Sequence, residues 1–145
     1  MNILEAQEDA VNLLKKLIGI PSHSREEKSA ANYLQTHIES LGYETNRVEN
    51  NIWLVAKGFS EEKPTLLLNS HIDTVRPTTG WQREPHTATL EGDTIYGLGS
   101  NDAGASLVSL LYTFFILSEK EQPYNLIFAA TAEEEVSGKN GMELL

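Results

Sequence analysis

Two short apolar runs constrain this chain more than anything else: Thr65-Leu66-Leu67-Leu68 and Asn125-Leu126-Ile127-Phe128-Ala129-Ala130. Apolar runs of this length, bounded by turn-rich stretches, read as strands buried on both faces, the kind found inside an α/β sheet. A third strand is read at Thr94-Ile95-Tyr96, with a glycine-rich exit. Each of the three leads directly into a polar cluster: His71-Ile72-Asp73, Asn101-Asp102 and Glu133-Glu134-Glu135. Ligands and catalytic groups in such sheets collect beyond the carboxyl ends of the strands. That rim would gather one imidazole and five carboxylates, a costly concentration of like charge unless a cation neutralises it. The economical expectation is a divalent metal site, with two ions.

The rest of the chain supplies helices to cover a sheet. Val11, Leu14 and Leu17/Ile18 recur at helical spacing, which predicts an amphipathic helix over 5–18, ended by Gly19 and Pro21. Ser24-Arg25-Glu26-Glu27 has the form of a capping box. The helix after it carries Ala30, Leu34, Ile38 and Leu41 on one face and stops at Gly42. Strands near 43–49 and 52–57 are joined by a tight turn at Asn50-Asn51, and Glu91-Gly92-Asp93 marks a second hairpin. Residues 74–86 read as a surface loop. From Ala103 to about Lys120 a helix is apolar nearly all round, hence buried. Another helix is expected over Gly138–Leu145. The fold class is therefore α/β, a mixed, mostly parallel β-sheet flanked by helices.

Composition narrows the function. At 145 residues the chain is one domain by length, and its net charge of −10 argues against nucleic acid and anionic membrane as partners. There is no cysteine, which removes disulfides and thiolate zinc sites. The first residues lack the basic and apolar regions of a signal peptide, and the apolar stretch near Leu107–Leu117 is too short to span a bilayer. A soluble, cytoplasmic protein is expected.

Each cluster also has a plainer reading. In the His-x-Asp, both side chains face one way on an extended strand end, so Asp73 can accept from one ring nitrogen and leave the other for a metal; a chance pair in a loop is the alternative. Asp102 is a good helix N-cap in its own right, but the small residues of Gly97-Leu98-Gly99-Ser100-Asn101-Asp102-Ala103-Gly104 would let a carboxylate and bare backbone approach an ion. The Glu triplet is ordinarily a solvated acidic turn. At a strand end, one glutamate could bind metal while its neighbour moves the proton of the attacking water.

Taken together and in this order, the segments Leu66–Val75, Ile95–Gly104 and Ala130–Glu135 resemble the M20 family of metallopeptidases and amidohydrolases. The resemblance extends to the leading helix pair with Ile20-Pro21-Ser22-His23-Ser24. Within the family the motifs are most similar to the acetylornithine deacetylases and succinyl-diaminopimelate desuccinylases. The resemblance implies a zinc-peptidase-like catalytic domain and two Zn2+ ions, with Co2+ or Mn2+ as possible replacements. It implies His71 as a ligand to one ion, Asp102 as the bridging ligand and Glu135 as a ligand to the other. Asp73 would support His71, and the Asp102–Ala103 peptide is a candidate cis bond. Glu134 would be the general base that activates the attacking water. The family's third motif usually reads Asp-Glu-Glu; here Glu133 stands in the Asp position, so base and ligand could instead be Glu133 and Glu134.

The implied activity is zinc-dependent hydrolysis of the N-acyl amide bond of a small-molecule amino-acid substrate, of the N-acetylornithine deacetylase type found in arginine biosynthesis. Within the same family the alternatives are a desuccinylase and an aminopeptidase or dipeptidase. A non-catalytic metal-binding α/β module, for calcium if all ligands were oxygen, and a plain structural domain are the other readings. The family uses a further acidic ligand and a C-terminal histidine, together with a dimerising domain. The chain is therefore expected to be the N-terminal part of a longer, homodimeric protein. The remaining histidines, His23, His37 and His86, are expected to be solvated.

Overall fold

A computed structural model describes residues 2–145. The chain opens with α1 (Ile3–Ile18), which begins earlier than its apolar spacing suggests because Asn2 caps it: Asn2 Oδ1 accepts from the Glu5 amide at 3.0 Å while the Glu5 carboxylate accepts from the Asn2 amide. Ala6, Leu13, Leu14 and Ile18 form its buried stripe. The next helix, α2 (Lys28–Ser40), buries Ala30, Ala31, Leu34 and Ile38. The expected capping box ahead of α2 does not form. Its two side chains are taken by other partners: the Ser24 hydroxyl donates to Asp73 at 2.7 Å, and the fully buried Glu27 carboxylate accepts from the amides of Arg25 and Glu133 and from the Asn50 side chain.

Four strands form the main sheet in the order β1 (Asn46–Val48), β2 (Asn51–Val55), β6 (Asn125–Thr131), β3 (Thr65–His71). Val48 pairs with Asn51, so the hairpin turn is Glu49-Asn50, one residue earlier than expected, with Glu49 at a positive φ of 52°. The sheet is mixed, but it is not mostly parallel. Both β1/β2 and β2/β6 are antiparallel, and only β3/β6 is parallel, because the hairpin returns β2 against the direction of β6. β3 also departs from expectation. It is an edge strand, and Leu66 and Leu67 are 40% and 42% exposed, so its apolar run is not covered on both faces. β6 lies inside the sheet beside β2, with all but Ile127 buried.

Between β3 and β6 the chain makes a separate hairpin, β4 (Thr89–Glu91) with β5 (Thr94–Tyr96), around Gly92-Asp93 as expected. An irregular turn, Ser100–Ala105, follows. α3 (Ser106–Ser118) then crosses back over the sheet and buries Leu107, Val108, Leu111, Tyr112, Phe114 and Phe115. The expected C-terminal helix is only a single turn at Met142–Leu144. The core lies between the three helices and the sheet. There Tyr43 stacks on Phe115 at 4.4 Å between ring centroids, and Phe114, Phe128, Ile52 and Leu54 are almost wholly buried. Each such side chain contributes about 1.5–3 kcal/mol through burial. Among the described residues, no helix is long and apolar enough to cross a membrane.

Candidate metal centre

The parallel pair β3/β6 fixes the site. Its register aligns His71 with Thr131, so both strands end at the same rim and deliver His71-Ile72-Asp73 beside Ala132-Glu133-Glu134-Glu135. The third cluster arrives from the irregular turn ahead of α3, where Asp102 has non-helical dihedrals (φ −111°, ψ 99°) and the Asp102–Ala103 peptide is cis. Asp102 does not cap α3, whose N-terminus has no side-chain cap. Gly104 makes this turn possible: a Cβ there would lie 2.5 Å from the Gly99 carbonyl oxygen and 2.7 Å from Leu14 Cδ1.

His71, Asp102 and Glu135 converge. Each offers one ligand atom, and the three atoms lie within 4.8 Å of one another. His71 Nε2 is 3.1 Å from Asp102 Oδ1 and 3.7 Å from Glu134 Oε2. On the other side of the ring, Nδ1 is 2.9 Å from the Asp73 carbonyl oxygen and 3.4 Å from its carboxylate. The backbone of Asp73 is thus the closer partner, and Nδ1 donates to it. The Asp73 carboxylate, wholly buried, is used mainly elsewhere. It accepts the Ser24 hydroxyl and the backbone N–H groups of Glu134 and Glu135, at 2.7, 3.0 and 3.1 Å.

The electrostatics show a site short of positive charge. Beside His71, the Asp73 carboxylate and carbonyl and the nearby Glu134 outweigh burial and raise the imidazole to about 9. Both ring nitrogens face acceptors, Nδ1 the Asp73 carbonyl and Nε2 the Asp102 carboxylate. Burial pushes the Asp73 carboxyl up, but His71, the Ser24 hydroxyl and the two backbone N–H groups outweigh it and hold the group below the usual carboxylate range. Glu135 is raised, first by burial and then by the facing carboxylate of Asp102. A divalent cation would take the place of the Nε2 proton and relieve Glu135. One imidazole with several carboxylates suits zinc or a similar borderline ion better than calcium, so the residues present fit the metal that the motifs imply.

Glu133 does not join the cluster. It is buried at a positive φ of 55°, and its carboxylate accepts the backbone and side-chain N–H groups of Asn140. The three consecutive glutamates therefore take three directions: Glu133 inward, Glu134 exposed beside His71, and Glu135 with Asp102. Sequence reasoning missed Ser24, Glu27 and Asn140, which hold this turn in place. Ser24 was visible only as a cap and within the segment Ile20–Ser24 of the resemblance, Glu27 only as part of the cap motif, and Asn140 carried no signal. The other histidines are not simply solvated. His37 Nε2 lies 3.1 Å from the Tyr112 hydroxyl, and His23 and His86 face one another.

The chain matches the model of peptidase family M20/M25/M40 over residues 67–145. It is similar to a succinyl-diaminopimelate desuccinylase of Blochmanniella floridana (29% identical over 142 residues, 92% of this chain and 37% of that protein). It is also similar to a [LysW]-lysine/[LysW]-ornithine hydrolase of Sulfurisphaera tokodaii (32% over 132 residues, 91% and 34%). Among solved structures it resembles human carnosine dipeptidase 1 (TM-score 0.72, 21% identity, 95% of this chain and 34% of that one). A dinuclear metal-binding peptidase from Bacillus subtilis is comparably similar (TM-score 0.70, 19% identity, 97% and 38%). The chain thus spans little more than a third of the length of the curated relatives it matches. The family model covers more than half of the chain and takes in all three clusters at the rim, and this chain belongs to peptidase family M20/M25/M40.

Proposed function

We propose that this chain is the N-terminal part of the catalytic domain of a metal-dependent amidohydrolase. The observation that carries this reading is the convergence of His71, Asp102 and Glu135 within 4.8 Å. These three would hold divalent ions, Zn2+ by the donor set. Bound ions of this kind polarise a scissile carbonyl and lower the pKa of water toward about 7. The chain's own residues do the rest. Asp73 holds the His71 ring through its carbonyl and the Glu134-Glu135 turn through its carboxylate, so a single residue sets the spacing of ligand and base. Glu134, exposed and beside the cluster, accepts the proton of the attacking water and returns it to the leaving amine.

The substrate is an N-acyl amino acid of the N-acetylornithine type, which would place the reaction in arginine biosynthesis in the cytoplasm. The full-length protein is a homodimer whose remaining ligands and dimerising domain lie outside this chain. Likeness to a desuccinylase and to dipeptidases supports the second reading, in which the same centre cleaves an N-succinyl amide or a dipeptide. The test is release of free amine from N-acetylornithine, N-succinyl-diaminopimelate and a set of dipeptides by the full-length protein, with and without a chelator. Chelator-sensitive hydrolysis of the first is expected. Preference for another substrate selects the second reading, and hydrolysis indifferent to chelation would overturn both.

A further inference from the structure

A second group of metal-binding side chains lies beside the rim and is used by nothing above. The rings of His23 and His86 are 5.4 Å apart between centroids, tilted by 57°. His23 sits in the α1–α2 connection and His86 in the loop before β4, so two segments far apart in sequence bring these imidazoles together. Among the described residues, His23 Nδ1 is buried with no hydrogen-bond partner, and so is the hydroxyl of Thr74. The two belong together, because His23 forms a parallel bridge with Thr74. Side chains paired across such a bridge lie on the same face. The buried hydroxyl of Ser22 is also unpartnered; with Thr74 and His86 it lines a small, mostly apolar cavity that borders His71 and Asp73 and that His23 does not line. Buried polar atoms left without partners cost free energy, so such a group calls for something that satisfies it.

The ring spacing suits a metal ion as that partner. A tetrahedral zinc-type ion bonds imidazole nitrogen at about 2.0–2.1 Å, which sets the centroids of two ligating rings roughly 5 Å apart. Stacked or edge-packed rings could lie at similar separations, but they would leave the buried Nδ1 unsatisfied. We propose that His23 and His86 form an accessory two-histidine site for a divalent transition ion of the zinc class. Water completes the ion's coordination, and the free hydroxyl of Thr74, on the same face as His23, holds that water. The site uses none of His71, Asp102 or Glu135, so it stands or falls separately from the hydrolytic reading.

The direct test is anomalous scattering at the zinc edge from crystals of the unsubstituted full-length protein equilibrated with Zn2+. A peak in contact with both rings is expected. Ordered water alone between the rings, or zinc only at the rim, would overturn the proposal. Equilibrium dialysis with elemental analysis gives an independent count. His23→Phe and His86→Phe should each bind one Zn2+ fewer per chain than the unsubstituted protein, and His71→Ala should retain the accessory ion. Unchanged stoichiometry in both Phe variants would also refute the site.

Discussion

Asp73 accepts the backbone N–H of Glu134 at 3.0 Å, so a carboxylate just beyond β3 fixes the position of a side chain that follows β6. The same carboxylate holds the Glu135 amide and the Ser24 hydroxyl. Asp73→Asn keeps the volume but sets an NH2 group against at least one of these donors. In the full-length protein, zinc affinity should fall by about 10–100-fold, the usual effect of losing a residue that orients metal ligands. A competition titration against a chromogenic chelator measures it, and an unaltered Kd would show that Asp73 does not set the geometry.

Glu134 is exposed, and its carboxylate lies 3.7 Å from His71 Nε2 rather than in the packed core. Glu134→Gln should therefore leave zinc content and thermal stability unchanged while lowering kcat by about 10²–10⁴-fold, the range for losing a general base. Near-normal turnover with full metal content would remove Glu134 from the role proposed for it.

Gly104 is a packing constraint on the Asp102 turn. A methyl group there meets the Gly99 carbonyl oxygen at 2.5 Å and Leu14 Cδ1 at 2.7 Å. Gly104→Ala should destabilise the fold by about 1–3 kcal/mol, as overpacking typically does. The midpoint of urea unfolding should drop with little change in slope. A midpoint matching that of the parent protein would mean that the turn relaxes freely.

His37 provides a pH dependence away from the centre. Burial against Tyr112 lowers its pKa below the ordinary 6.5, and nearby Asp9 opposes this only in part. The unfolded chain then takes up the proton first, so this contribution to stability is complete above pH 6.5. It is lost as the pH falls from 6.5 through the folded-state value. Between pH 7 and 5 the unsubstituted protein should lose more stability than His37→Phe, measured by urea unfolding. Parallel curves would contradict this.

Much of the site was legible in the sequence because strand ends and motif spacing are local signals. His71, Asp102 and Glu135 could be named as ligand candidates from apolar runs followed by polar clusters, and the structure brings those three together. The sheet was less legible. An apolar run such as Leu66-Leu67-Leu68 looks the same at an edge as in the middle, since what covers it lies elsewhere in space. Strand direction likewise depends on which partner β2 meets, and no periodicity within β2 records that. The capping motif at Ser24 failed for the same reason: its residues had stronger partners at Asp73 and Glu133, and only the fold reveals them.

Among the described residues no strand pairs with the outer side of β3, and the row of backbone donors and acceptors there ends at His71. Unsatisfied ladders of this kind recruit whatever extended peptide reaches them. Any strand that docks along Thr65–His71 would stiffen the ligand at its tip, so crowding at this border and the shape of the metal pocket are mechanically linked. Solubility and metal retention should therefore change together when the border is altered.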